Sequence, residues 1–451
     1  WCFFNPDTIL ATPVEEIRRA FGRLGIRYAC YCGGWVDRKH DRKKIGFGTG
    51  VMDSYWADFR RRLREAATRI REAVPGCKVL VYYDTQRDTS DGGHGRFRDS
   101  WLPSVNGDQF STEWSGVYSL TWSMVATRDN TFGKAMLDVV DRYVDEIGVD
   151  GLYWDEMEAV GYGTPLITHN TADGYSCILN KKTYTIEREI GITTLLGEGH
   201  RMAVIDRIRA RGGMVMGNGP TTTKDLLAKR VQRMVEVQHN DYWCYQGNLD
   251  TPLGYASSRM DFGNWIRALQ KATLLVGTRY TYEHEISRYV FPFTPIELHA
   301  GYLLGEERII AAHSGNFGWP EWRCLAQVHH FDRDGKHTSQ TFSTRIGAEA
   351  RTTVTMKSGE AVILERLPVS VVPAVGGESA EIRGLTSDGA DIRFVLDCPS
   401  GCTVRVKNAG TACRVFANAR EGELVQMADG TASARVPPGL QRAKIHIAIA
   451  R

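Results

Sequence analysis

Two adjacent carboxylates, Asp155 and Glu156, come directly after a short apolar segment at 149–154. A single Asp after a strand often caps the next helix, but an Asp-Glu pair framed by Tyr153 and Trp154 favours a chemical role. Two neighbouring acids in different surroundings can act as a proton donor and a charged carboxylate near neutral pH. This pair is therefore the first candidate for a catalytic site.

The elements around the pair predict where it lies in a fold. Residues 132–147 carry apolar side chains at helical spacing, and Gly148 stands where a helix-ending glycine belongs. A helix, a tight turn and a short strand that ends in acids is typical of an α/β-barrel active site. In that fold the carboxyl ends of the strands form the catalytic mouth.

Other predicted strands also end in polar or aromatic residues. The predicted strands are 26–35, 78–83, 117–125, 149–154, 214–216, 235–237, 273–282 and 308–312. The residues at or just after the ends of the other strands that could face the same cleft are Trp35, Asp84, Asn218, Gln238, Asp241, Trp243, Tyr282 and Glu283. Because the carboxyl ends of parallel strands meet on one side, these residues are predicted to line one site.

Close to eight strand–helix units in about 320 residues predict a (β/α)8 TIM barrel over residues 1–322. A helix at 295–304 is predicted as the last of that barrel. Beyond it, short alternating runs such as 352–356, 392–396 and 443–449 predict an all-β sandwich domain over residues 323–451.

The composition of the chain restricts the kinds of molecule that it is expected to bind. The 451 residues are 42% hydrophobic and 24% charged, with a net charge of +3 spread along the chain, which predicts neither a nucleic-acid nor a membrane partner. No Cys or His spacing matches a metal site, and the glycine-rich segment 46–50 lacks the preceding strand of a phosphate loop. Neither a metal nor another cofactor is expected.

Acids that line an aromatic cleft fit the cleavage of glycosidic bonds, which requires one protonated acid and one ionised carboxylate. The expected protein is a glycoside hydrolase whose partner is a carbohydrate. The candidate catalytic residues are Asp155, Glu156, Asp241 and Glu283. Glu156 is the first choice for proton donor. The candidate substrate-binding residues are Trp35, Asp84, Tyr153, Asn218, Gln238, Trp243 and Tyr282.

The segments 150–156 (DGLYWDE) and 299–305 (HAGYLLG) resemble those of glycoside hydrolases of the (β/α)8 type. In the α-galactosidase-like clan, the fourth strand ends in Lys-Trp-Asp or Lys-Tyr-Asp. The Asp of that triplet is the nucleophile, and a second Asp beyond strand six is the acid/base. Asp155 and Asp241 are similar, although this chain has no lysine in the triplet. In β-N-acetylhexosaminidases, the fourth strand ends in an Asp-Glu pair like Asp155-Glu156. There the Glu is the acid/base, and the Asp orients the acetamido group of the substrate.

A second class of function stays open. A carbohydrate-binding protein on a degenerate barrel would keep the aromatic residues without turnover. The density of acids at the predicted strand ends favours the enzyme.

Overall fold

A computed structural model describes residues 1–31, 47–52, 56–90, 92–103, 111–112, 121–158, 167–219, 221–236, 253–256, 261–277, 285–319, 324–342, 345–346, 351–375, 380–387, 391–407, 414–418, 420–421, 424–426, 431–439 and 442–448. These residues fall into two compact units. The first comprises Trp1–Met260 and Thr273–Glu283, and the second comprises Asp261–Ala272 and His284–Arg451. No helix in the described ranges is both long and apolar enough to span a membrane.

An eight-stranded sheet forms the centre of the first unit. Its strands are Cys2–Phe4, Tyr28–Tyr31, Lys78–Tyr83, Gly151–Trp154, Met214–Asn218, Gln232–Glu236, Leu253–Ala256 and Leu274–Gly277. Each is hydrogen-bonded in parallel to the next in chain order. That is the strand order of a (β/α)8 barrel. Among the described residues no pairing joins the eighth strand to the first, so the predicted closure of the barrel stays a prediction.

Helices connect most of these strands. The α-helices are Pro6–Ala11, Val14–Leu24, Trp56–Ala73, Gly93–Arg96, Thr131–Arg142, Thr193–Leu196, Glu198–Ala210, Lys224–Ala228 and Phe262–Leu269. Single turns of 3-10 helix occupy Gly48–Met52, Arg98–Ser100 and Glu285–Arg288, and a π-helical turn occupies Tyr143–Ile147.

The helix before the fourth strand has clear end signals. Its N-cap is Asn130, whose side chain accepts a hydrogen bond from the Gly133 amide at 2.9 Å. The run ends at Gly148, which has a φ of 78°. Both features agree with the predicted helix at 132–147.

The two faces of the parallel strands bury different side chains. Val79, Val81 and Tyr83 pack in one core with helix residues such as Leu63 and Val140. The alternate residues Tyr82 and Tyr153 are buried outside that core and contact each other, with ring centroids 5.9 Å apart. Since successive side chains of a strand alternate, the residues two positions further along the chain continue the row of Tyr82 and Tyr153.

Two insertions carry small sheets of their own. Arg87–Asp88, Ser111–Thr112 and Thr121–Ser123 form one antiparallel sheet, and Ile167–Thr168, Ser176–Leu179 and Ile186–Ile192 form another. The strand predicted at 117–125 is therefore wrong as a barrel strand, because its described part pairs antiparallel in an insertion. The described part of 85–114 likewise contains short elements rather than an extended loop.

Antiparallel sheets build the second unit. One has nine strands: Pro295–His299, Tyr302–Gly305, Arg308–Ala311, Cys324–Phe331, His337–Phe342, Ala361–Pro373, Cys402–Val406, Leu424–Gln426 and Ala432–Val436. Another has six: Arg345–Ile346, Ala380–Ser387, Asp391–Asp397, Arg414–Ala417, Arg420–Glu421 and Ala443–Ala448. Gly315–Phe317 pairs with Thr352–Val354. Side chains of both large sheets, including Val371, Val404, Phe394 and Ile445, share one apolar core.

Two predictions near the junction are wrong. Residues 295–304 form two strands rather than a helix, because Gly301 has a φ of 86° and turns the chain between His299 and Tyr302, which pair with each other. The strand at 308–312 belongs to the nine-stranded antiparallel sheet. The domain boundary at residue 322 stays a prediction, and these pairings favour an earlier position.

Candidate active site

The register of the parallel sheet brings three polar residues together at its carboxyl edge. Tyr82 on the third strand pairs with Tyr153 on the fourth, which pairs with Met216 on the fifth. Two positions further along each strand, the residues are Asp84, Asp155 and Asn218. The sequence prediction that these three residues share one site agrees with this register.

The Asp155 carboxylate is held by neutral donors from three adjacent strands. Its Oδ1 accepts a hydrogen bond from Asn218 Nδ2 at 2.6 Å, from the Glu156 amide at 3.2 Å and from the Tyr153 hydroxyl at 3.5 Å. Its Oδ2 accepts one from the Tyr82 hydroxyl at 2.8 Å. Within the described ranges no Lys, Arg or His forms an ion pair with Asp155. Hydroxyl and amide groups therefore fix the direction of this carboxylate.

Asp84 lies beneath this cluster and is 1% exposed. Its Oδ1 accepts a hydrogen bond from the Gln86 amide at 2.7 Å, and its Oδ2 lies 3.4 Å from the Tyr82 hydroxyl. Burial raises the pKa of Asp84 to about 7. Arg87 opposes this increase, and the negative charge of Asp155 adds to it. Asp84 therefore binds and releases a proton near neutral pH.

The Tyr82 hydroxyl lies between the two aspartates. Burial raises the pKa of Tyr82 well above its usual value, and the negative charges of Asp155, Asp84 and Glu156 raise it further. The hydroxyl therefore keeps its hydrogen over the pH range in which Asp84 changes charge.

Glu156 turns away from this row. Its backbone is left-handed, with a φ of 45°, which is uncommon for a residue with a side chain. Both of its carboxylate oxygens contact Arg87 Nη2, at 2.7 and 2.8 Å, and both side chains are largely buried. The Glu156 carboxylate therefore faces a cation rather than the row of Asp84, Asp155 and Asn218.

A buried ion pair supports the segment that follows. Glu158 and Arg233 contact each other with side chains 0% and 1% exposed, and Glu158 Oε2 also accepts hydrogen bonds from Thr222. Nearby, Arg201 donates to the carbonyls of Met157 and Thr194. Residues after the fourth strand are thus fixed to residues on and around the fifth and sixth strands.

Five of the predicted site residues lie in the described ranges: Asp84, Tyr153, Asp155, Glu156 and Asn218. Trp35, Gln238, Asp241, Trp243, Tyr282 and Glu283 lie outside the described residues and stay predictions. The sequence reasoning missed Tyr82 and Arg87. Tyr82 could have been found, because it lies two residues before Asp84 on the same face of its strand.

The described part of the glycine-rich segment, residues 47–50, contacts a side chain of the protein itself. The Thr49 amide and hydroxyl both donate to Asp88 Oδ1, at 2.8 and 2.7 Å. The described part of the loop thus binds a carboxylate of the chain itself. Among the described residues, no three His, Cys, Asp or Glu side chains are grouped closely enough to hold a metal ion.

The sequence matches no protein-family model and no curated protein. Three solved structures with a similar course of the chain are named as carbohydrate-active enzymes. The cycloalternan-forming enzyme from Listeria monocytogenes, in complex with a pentasaccharide substrate, is 7% identical over 96% of this chain and 52% of its own, with a TM-score of 0.48. The alpha-amylase from Geobacillus thermoleovorans, complexed with acarbose, is 8% identical over 78% of this chain and 91% of its own, with a TM-score of 0.40. The gamma-CGTase from alkalophilic Bacillus clarkii is 12% identical over 98% of this chain and 77% of its own, with a TM-score of 0.41.

The chain spans about half the length of the Listeria structures. At these identities and TM-scores, the similarities assign neither a family nor an activity to this chain. The resemblances to the α-galactosidase-like clan and to β-N-acetylhexosaminidases stay predictions.

Proposed function

We propose that this protein is a glycoside hydrolase whose reacting carboxylate is Asp155. The observation that carries the proposal is the oriented Asp155 carboxylate at the carboxyl edge of the parallel sheet, next to a second acid, Asp84. A carboxylate fixed by neutral donors keeps a lone pair available for an electron-deficient carbon. Among the described residues, Oδ2 accepts one hydrogen bond, from Tyr82, and it is the oxygen that we assign to the anomeric carbon.

The proton donor in this proposal is Asp241 rather than Glu156. Both carboxylate oxygens of Glu156 contact the guanidinium of Arg87, and a carboxyl group in that contact is poorly placed to give a proton to a leaving oxygen. Asp241 follows Gln232–Glu236, which is the sixth parallel strand, as Asp155 follows the fourth. The strand count therefore favours the α-galactosidase-like pattern over the hexosaminidase pattern. Glu283, after the eighth strand, is the alternative donor.

The proposed fold is a closed (β/α)8 barrel followed by a β-sandwich. The strand order of the first unit and the shared core of the two large sheets in the second unit support it. The proposed substrate contacts are Asn218 and Tyr153 beside Asp155, together with the predicted residues Trp35, Gln238, Trp243 and Tyr282. Aromatic rings of this kind stack on the apolar faces of sugars.

Incubation of the full chain with a panel of p-nitrophenyl glycosides and of unsubstituted oligosaccharides tests this function. Release of p-nitrophenol or of free sugar is expected for at least one member, and nuclear magnetic resonance of the first product gives its anomeric configuration. The same assay with Asp155→Asn is expected to show no turnover above background. Turnover that this variant retains would contradict the assignment of Asp155.

The alternative function, carbohydrate binding without turnover, predicts a different outcome. Saturable binding of an oligosaccharide by calorimetry, with no product after prolonged incubation, would favour it. The position of Asp84 beside Asp155 favours the enzyme, because a buried acid with a raised pKa next to a second carboxylate is typical of catalytic sites.

A further inference from the structure

We infer that Asp84 is a positioning residue that controls Asp155 through the Tyr82 hydroxyl. The three groups form a chain: Asp84 Oδ2 lies 3.4 Å from the Tyr82 oxygen, which lies 2.8 Å from Asp155 Oδ2. Asp84 lies beneath the proposed nucleophile, and the catalytic consequence of its role rests on the proposed function.

The hydroxyl has only one hydrogen, and two carboxylates are within reach of it. When Asp84 carries a proton, it can donate that proton to the Tyr82 oxygen, and Tyr82 then directs its own hydrogen to Asp155. When Asp84 is ionised, it becomes a second acceptor that competes with Asp155 for the same hydrogen. The charge state of Asp84 therefore decides how firmly Asp155 Oδ2 is held.

The charges around Asp84 place this change near neutral pH. Burial and the negative charge of Asp155 favour the protonated form, whereas Arg87, the Gln86 amide and the Tyr82 hydroxyl favour the ionised form. Glu156 is linked to these groups because it forms an ion pair with Arg87. Together these groups leave the pKa of Asp84 at about 7, so both of its states are populated in ordinary buffers.

Tyr82 is suited to this link because its own proton is not lost. Its hydroxyl is buried, and burial holds its pKa well above the range in which Asp84 titrates. Tyr153, the other hydroxyl beside Asp155, lies 3.5 Å from Oδ1. It offers a matched tyrosine on the same face of the neighbouring strand.

The first experiment requires no substrate. The chain is labelled with 13C at the aspartate side-chain carboxyl carbons, and the resonances are followed by 13C-detected nuclear magnetic resonance from pH 5 to pH 9. The Asp84 and Asp155 resonances are assigned by their loss in Asp84→Asn and Asp155→Asn. In the wild type, the Asp84 resonance is expected to titrate near pH 7, and the Asp155 resonance is expected to shift with the same midpoint.

The Tyr82→Phe variant separates the proposed link from a simple effect of charge. Asp84 is expected to titrate in this variant too, with a higher midpoint because it loses a donor, while the shift of the Asp155 resonance shrinks to the part that the charge of Asp84 causes through space. Tyr153→Phe is the matched control and is expected to keep the coupled shift. An Asp155 resonance that shifts as far with Asp84 in Tyr82→Phe as in the wild type would overturn the inference, as would an Asp84 midpoint near 4 in the wild type.

The second experiment uses any glycoside that the enzyme hydrolyses. From the titration of Asp84 alone, kcat/KM is expected to be about fivefold lower at pH 8 than at pH 6, because loss of the Tyr82 hydrogen bond leaves about a tenth of the activity. A group with a midpoint near 7 goes from about 90% to about 10% protonated over that interval. Asp84→Asn, whose amide can donate at every pH, is expected to remove this step whatever its absolute activity. Failure to hydrolyse any glycoside would contradict the proposed function and leave the coupled titration as a separate result.

Discussion

The fourth parallel strand has an aspartate at each end, and the two are held in different ways. Asp150 precedes the strand, and its carboxylate contacts Arg71 at 2.7 Å, Lys78 at 3.1 Å and the Val79 amide at 2.9 Å. Asp155 follows the strand and is held by Tyr82, Tyr153 and Asn218, which are all neutral. The same residue type, five positions apart, thus meets cations at one edge of the sheet and hydroxyl and amide groups at the other.

The partners determine what each carboxylate can do. Burial opposes the charge of Asp150, but Arg71, the Val79 amide and Lys78 together lower its pKa below the usual value. Its charge is neutralised, which suits a structural link between a helix and two strands. No cation neutralises Asp155 among its described contacts, and a buried acid with a raised pKa lies next to it. In α/β barrels the active site lies at the carboxyl ends of the strands, and residues at the amino ends contribute to stability.

The largest effect is expected at the carboxyl edge. Asp155→Asn keeps the side-chain volume and removes the charge, so turnover should fall by roughly three orders of magnitude or more while the fold is retained. kcat/KM on a glycoside that the wild type hydrolyses measures the loss, and circular dichroism checks the fold. Asp150→Asn is the matched control with the same chemical change at the other edge, and its kcat/KM should remain within about twofold of the wild type. An equal loss in both variants would contradict the contrast between the two edges.

A second prediction concerns stability below the carboxyl edge. Glu158→Gln leaves Arg233 charged and fully buried without its carboxylate, which should cost about 3–5 kcal/mol in the free energy of unfolding. The midpoint of urea unfolding of the full chain measures the change. The double variant Glu158→Gln with Arg233→Met removes the uncompensated charge and should recover part of the loss. A double variant less stable than Glu158→Gln would contradict the explanation.

The sequence predicted the fourth strand and its acids because two strong signals coincide there. The apolar spacing of 132–147 and the glycine at 148 define the helix end, and the strand that follows is apolar throughout. Gly151 adds a constraint that the pattern alone does not show. A Cβ at that position would lie 1.8 Å from the Met214 carbonyl oxygen, so only glycine permits this approach of the fourth and fifth strands.

The sequence analysis missed two short strands of the parallel sheet, because neither carries a strong signal. Cys2–Phe4 and Leu253–Ala256 have three and four residues, too few for a periodic pattern. The prediction reached a count close to eight by including 117–125 and 308–312, which lie in other sheets. An alternating pattern predicts that a segment is a strand. It does not predict the neighbouring strands, because these depend on pairing with distant parts of the chain.

The side-chain contacts of the site were the hardest feature to predict from the sequence. Asp84 and Asp155 follow from the strand ends, but the pairing of Glu156 with Arg87 depends on the left-handed backbone at Glu156 and on an insertion that folds back. Nothing in the local pattern distinguishes a proton donor from an ion-paired glutamate. The Tyr82 link requires the register between the third and fourth strands.

A third prediction tests the amino edge. Because the pKa of folded Asp150 lies below that of the unfolded chain, its stabilisation is present above about pH 4 and is lost as the pH falls through the lowered folded value. Asp150→Asn should therefore lower the free energy of unfolding by about 1 kcal/mol at pH 7. The difference between the variant and the wild type should shrink toward pH 3. Urea unfolding at the two pH values measures it, and a difference that grows in acid would contradict the sign.

Smaller losses of activity than that of Asp155→Asn are expected at the two tyrosines of the carboxyl edge. Tyr82 donates to Asp155 at 2.8 Å, whereas Tyr153 lies 3.5 Å from it, at the limit of a hydrogen bond. Tyr82→Phe should lower kcat/KM by about tenfold, which corresponds to one hydrogen bond to a charged group. Tyr153→Phe should lower it by less than about threefold, because a weak contact contributes little. Both rings remain packed in the same face, so a difference between the two variants reports the hydroxyl groups alone. Equal losses would show that Asp155 is held by its whole set of donors rather than chiefly by Tyr82 and Asn218.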